Sequence, residues 1–101
     1  MVRFVPPKGF SAVKRAVIDA LHAGKYLHEA RGDIDTKNLL LTGAVSAAEI
    51  ARVIAGASGR EHRVSPHHSV SHIEVHVIRS QGWYVKFYFL DDGTWFISVH
   101  K

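Results

Sequence analysis

Between Ser71 and Lys101 apolar and polar residues alternate in three runs, SHIEVHVIR, GWYVKFYFL and TWFISVHK, separated by SQ and DDG. Alternation with a period of two marks a strand buried on one face, because successive side chains leave opposite sides. The pattern predicts strands over about 71–79, 82–90 and 94–100. Asp91-Asp92-Gly93 reads as a hairpin turn, with Gly93 suited to positive φ, and Ser80-Gln81-Gly82 as the turn before it.

Upstream the period changes. Val13, Val17, Ala20 and Leu21 form one stripe at helical spacing, with Ser11 a candidate N-cap and Gly24 a natural stop. This predicts a helix over 11–24. Ser46 and Glu49 have the spacing of a capping box, flanked by Val45 and Ile50 at the hydrophobic-staple positions. Ile50, Val53, Ile54 and Ala57 continue as a buried stripe, so a second helix is predicted over 46–57. Val2 to Val5 reads as a short edge strand stopped by Pro6-Pro7. Gly32, Asp33 and Asp35 read as loop, and Leu39-Leu40-Leu41 as a short buried piece of undecided type. Residues 60–70 read as a polar loop, with room for a short strand at 61–64. The expected architecture is a single α+β domain over 1–101: two main N-terminal helices packed on one face of a C-terminal antiparallel sheet of three or four strands.

Alternation also assigns the faces. Ile73, Val75 and Val77, then Trp83, Val85, Phe87 and Phe89, then Trp95, Ile97 and Val99 are expected to pack on the helices. His72, Glu74, His76, Tyr84, Lys86, Tyr88, Thr94, Phe96, Ser98 and His100 are left for the other face.

The chain has 101 residues, 47% of them hydrophobic and 22% charged, an ordinary composition for one globular domain. No apolar run approaches the ~20 residues of a membrane span, and MVRFVPPKGF lacks the apolar core of a signal peptide, so a cytoplasmic protein with no membrane partner is expected. The absence of cysteine excludes disulfides, thiol nucleophiles and thiolate-bound zinc. The net charge of +4, with eight histidines beyond it, suits a polyanionic partner such as RNA.

Three chemistries fit the expected polar face. His72, Glu74 and His76 offer metal ligands, but three in line along a strand do not form a tetrahedron, and neither metal nor cofactor is expected. Metal-free RNA cleavage needs a base for the 2′-hydroxyl, a cation for the phosphate and an acid for the leaving oxygen. Glu74 or His76 is the candidate base, Lys86 the phosphate ligand and His100 the acid, with His72, Arg79, Tyr84 and Tyr88 binding substrate. The third reading is a solvated face with no catalytic role, or one that binds another protein.

Trp83-Tyr84-Val85-Lys86-Phe87, an acidic turn and Phe96-Ile97-Ser98-Val99-His100-Lys101 together resemble the final hairpin of small bacterial toxins, the MqsR-like group within the RelE-like family of messenger-RNA endoribonucleases. The resemblance covers about 20 residues. It implies an endoribonuclease inhibited by an antitoxin protein. It also implies active-site roles for Tyr84 and Lys86 in a Tyr-x-Lys motif and for His100 near the end of the last strand, where the family more often has lysine. The strand at 71–79 departs from the family where a glutamine is expected.

Overall fold

A helix forms where its apolar stripe finds a partner. In the computed structural model, which describes residues 5–29, 37–91 and 93–101, α1 (Phe10–Ala23) buries Val13, Val17 and Leu21. It begins before the predicted cap. The Gly9 carbonyl already accepts from Val13 N at 3.0 Å, so Ser11 lies inside the helix and caps nothing. Gly24 ends α1 in the left-handed conformation (φ 69°), which lets Lys25 N reach Ala20 O at 3.0 Å.

The chain then enters β1 (Tyr26–His28), too short to show any period. The undecided Leu39-Leu40-Leu41 segment is helical. It opens α2 (Leu39–Thr42), capped by Asn38 Oδ1 accepting from Leu41 N at 3.1 Å. Helix α3 (Ala47–Ala55) starts at Ser46, whose Oγ accepts from Glu49 N at 3.1 Å, and buries Ile50, Ala51, Val53 and Ile54. Helices α1 and α3 pack on one another. A reciprocal capping box forms at Ser58 and Glu61, around the 3-10 turn Gly59–Glu61.

Strands β2 (His62–Pro66), β3 (Glu74–Ser80), β4 (Trp83–Leu90) and β5 (Gly93–His100) follow. The sheet order is β1-β5-β4-β3-β2, with β1 parallel to β5 and the other pairs antiparallel. The fold class is α+β, as expected. Among the described residues, however, the sheet is five-stranded and mixed rather than three- or four-stranded and antiparallel, and there is a third, one-turn helix. Gln81 (φ 53°) and Gly82 (φ 81°) make the β3–β4 turn with both central residues at positive φ. In the next turn positive φ falls on Asp91 (φ 50°), not Gly93, which already belongs to β5. The rest of the predicted edge strand (Val2 to Phe4), the predicted loop residues Gly32 to Asp35, and Asp92 lie outside the described residues; Val5 is not in a strand.

The helices cover Ile78, Trp83, Val85, Phe87, Phe89, Phe96 and Val99. For β4 this is the predicted face. For β3 it is the opposite one. His76 pairs with Phe87 and Ile78 with Val85, whereas Val75 pairs with Tyr88 and Val77 with Lys86. Alternation misleads here because both sides of the strand are covered. Residues 67–73 fold back, His67 N donating to Ile73 O at 2.8 Å, beside a second apolar cluster of Ile73, Val75, Tyr88 and Ile97. Opposite Lys86 and Phe87 of β4, a bulge at Ile97 changes the parity of β5 midway. Phe96 and Thr94 therefore face the helices, and Trp95 and Ile97 join the outer cluster, the reverse of the predicted faces.

Candidate functional site

Directly opposed residues on one face of an antiparallel pair bring their Cβ atoms to ~4.5–5.5 Å. On the outer face this lines up Arg79, Tyr84 and His100 across β3, β4 and β5. The neighbouring row contains Arg63, Val77, Lys86 and Ser98, from β2 to β5. A cavity of about 510 Å³ opens over these rows, lined by Arg60, Glu61, Arg63, Val77, Arg79 and Tyr84. A second, of about 490 Å³, continues past Tyr84 to His100. Cations thus outnumber carboxylates along this wall, and the Glu61 carboxylate already accepts from Ser58 N at 2.8 Å.

The centre of the first row is tightly specified. The Arg79 guanidinium lies 5.1 Å from the Tyr84 ring centroid, and the His100 ring stacks on Tyr84 at 4.9 Å and 18°. Tyr84 is held between a cation and an imidazole. It is therefore placed to position its neighbours rather than to offer a ring face to a nucleobase. His100 Nδ1 lies 3.0 Å from the main-chain oxygen of Lys101. That oxygen can only accept, so Nδ1 carries the proton and Nε2 keeps its lone pair in the neutral ring. Lys86 is half-buried beside Ser98.

Of the residues expected to form one site, Arg79, Tyr84, Lys86 and His100 come together. His72, Glu74 and His76 do not: they line a cavity of about 630 Å³ on the helical side, with Lys8, Phe89 and Asp91. The inverted register of β3 is the reason, and it removes Glu74 and His76 as bases for chemistry at Lys86. His76 is only 3% exposed. Its Nδ1 lies 3.0 Å from His62 Nε2, the two rings meeting edge to edge with centroids 5.2 Å apart, and Phe87 stacks on it at 5.5 Å. Burial, and then the neighbouring His62, push its pKa down to about 4. His62 is also lowered by burial, against a smaller upward pull from the Glu74 carboxylate. Burial lowers His28 too, whose Nδ1 meets the buried Asn38 amide at 2.9 Å.

Tyr88 is on the outer face but buried. Its hydroxyl donates to Glu29 Oε1 at 3.1 Å, and its ring meets His67 edge-on. Glu29 Oε1 also accepts from His67 Nε2 at 2.8 Å. Glu29, His67 and His68 bring possible metal ligands within 4.8 Å of one another. The donor set does not fit an ion. His67 Nδ1 accepts from the Ser69 and Val70 amides at 3.1 and 3.2 Å, so the proton sits on Nε2, the nitrogen that a metal beside Glu29 would need bare. The network instead pins residues 67–73 to the sheet.

Arg60 and Arg63 were missed in the sequence. Reading β2 through to Pro66 would have put Arg63 and Ser65 on one face and His62 and Val64 on the other, but two Pro/Ser-rich residues at its end masked the period. No described helix is long and apolar enough to cross a membrane. Compared with known proteins, the chain matches no family model, no curated protein and no solved structure.

Proposed function

We propose that this protein acts on RNA through the outer face of its sheet, as a metal-independent endoribonuclease of the RelE/MqsR-like toxin kind. The observation that carries the reading is the Arg79–Tyr84–His100 row beside Lys86 and Arg63. Backbone phosphate supplies most nucleic-acid affinity, and guanidinium groups bind it through paired donors. Arg63, Arg79 and Lys86 hold the phosphate and offset charge gathering on its oxygens. His100 Nε2 takes the proton of the 2′-hydroxyl. The 2′-oxygen then bonds to phosphorus and the P–O5′ bond breaks. The 5′-oxygen leaves with a proton from solvent, giving a 2′,3′-cyclic phosphate and a 5′-hydroxyl end. His100 is thus assigned as base, in place of Glu74 or His76. An antitoxin partner would cover the same cationic wall with carboxylates.

The test is cleavage of end-labelled messenger RNA in EDTA. Wild-type protein is expected to cut, with His100→Ala slower by roughly 10²–10⁴-fold, the usual contribution of a positioned acid–base group, and Lys86→Ala also impaired. Failure to cut several unrelated RNAs, with no growth arrest on induced expression, rejects the reading.

A further inference from the structure

The most unusual polar feature outside the outer face is the imidazole pair His62–His76. His62 is on β2, an edge of the sheet, and His76 is on its neighbour β3. The rings lie edge to edge, within 16° of one plane, with Nε2 and Nδ1 3.0 Å apart. Phe87 and Phe89 close over His76 from β4, and Phe10 of α1 covers His62 at 5.5 Å. We propose that this pair is an acid-sensitive clasp: its protonation releases β2, and with it Arg63, dismantling one wall of the cationic cavity.

The proton inventory gives the reason. Two nitrogens 3.0 Å apart hold one hydrogen between them. A first extra proton can sit on the outer nitrogen of half-buried His62 and leave that bond intact. A proton on His76 Nδ1 sets N–H against N–H, in a site already walled by phenylalanine rings.

The surrounding charges do little to relieve this. Lys14 of α1 lies over the Phe10 ring and donates to Ala57 O. Glu74 of β3 is the carboxylate that favours charging of His62, but it is exposed. Lys8, His72 and Asp91 share the cavity beside His76, adding a cation and a second titratable ring as well as a carboxylate. From the 3-10 turn, Glu61 is tied to Ser58 N, and Arg60 adds positive charge. Phe87 and Phe89 bring no charge from β4.

Release of β2 reaches the outer face because a strand exposes alternate residues on both sides. His62 points to the helices, while Arg63, the next residue, pairs with Val77 beside Lys86. The clasp concerns the folding of this wall and holds whether or not RNA is the ligand.

Amide exchange resolved by residue at pH 7.5 and 4.5, corrected for the intrinsic rate, tests it. A group with a folded pKa of about 4 and an ordinary value of ~6.5 once opened should raise the opening equilibrium of residues 62–65 on the order of 50-fold at pH 4.5. Amides in the middle of β4 and β5, which open only when the whole fold does, should stay better protected than those of β2 at both pH values. His76→Phe should abolish the difference. If that variant does not fold, the imidazole resonances of the wild-type protein decide: a His76 midpoint near 6.5 overturns the clasp. So does exchange of β2 at pH 4.5 that is no faster than that of β4 and β5, which would mean it opens only with the whole fold, or protection of β2 that does not fall.

Discussion

Tyr84 shows how context changes what a residue can do. As an exposed strand tyrosine it reads as a stacking platform for a base. In the fold, Arg79 and His100 take up its ring, and its contribution is to hold a guanidinium and an imidazole in one line. A cation–π contact of this kind is worth about 0.5–1 kcal/mol. Tyr84→Leu should therefore weaken binding of a short single-stranded RNA by roughly 5-fold, measured by fluorescence anisotropy at low salt, while Tyr84→Phe should stay near wild type. If the ring stacked on bases instead, each aromatic would add about 1–3 kcal/mol, and the loss in the leucine variant would be larger and base-dependent. At the same scale, His67 and His100 have their tautomers set by backbone partners: two amides facing the first, a main-chain oxygen facing the second. Neither assignment could be read from a list of histidines in a sequence.

Elements whose signal is local were legible. The Gly24 stop and the Ser46 cap each depend on side-chain or backbone chemistry within a few residues. Ser46→Ala should cost about 1 kcal/mol of stability, read from urea unfolding, because Glu49 N loses its acceptor at the start of α3. Ser11→Ala should have little effect, since the hydroxyl caps nothing. What failed was parity. Strand β3 alternates correctly but faces the other way, because its register is fixed by pairing with β2 and β4, not by its own composition. Strand β5 carries a bulge that no composition signal marks. Those two features moved Glu74 and His76 away from the proposed site and Phe96 into the core.

For the whole molecule, the buried histidines couple folding to pH. His76 titrates at about 4 in the fold and near 6.5 when unfolded, so between these values the unfolded chain binds more protons. Its contribution to stability is complete above pH 6.5 and is lost as pH falls through the window to 4. The loss attributable to this group is about 3 kcal/mol, and His62 adds to it in the same direction. Urea denaturation at pH 7.5, 6, 5 and 4 measures it, and His76→Phe should flatten the profile over that range. The 12.7 Å radius of gyration leaves few residues far from the surface, so one imidazole can move a sizeable share of the total stability, typically about 5–15 kcal/mol.

The α+β class, the two longer helices, the hairpin of β4 and β5 and the concentration of basic and aromatic residues near the end of the chain all follow from nearest-neighbour chemistry, which a one-dimensional pattern contains. Three-dimensional pairing alone decided that β2 lies beside β3, that β1 joins β5 in parallel, and that Arg63 shares a row with Lys86 while Glu74 and His76 lie behind the sheet. The physical reason is that a strand has two equivalent faces until another strand and a covering layer distinguish them. Only contacts between residues far apart in the chain make that choice.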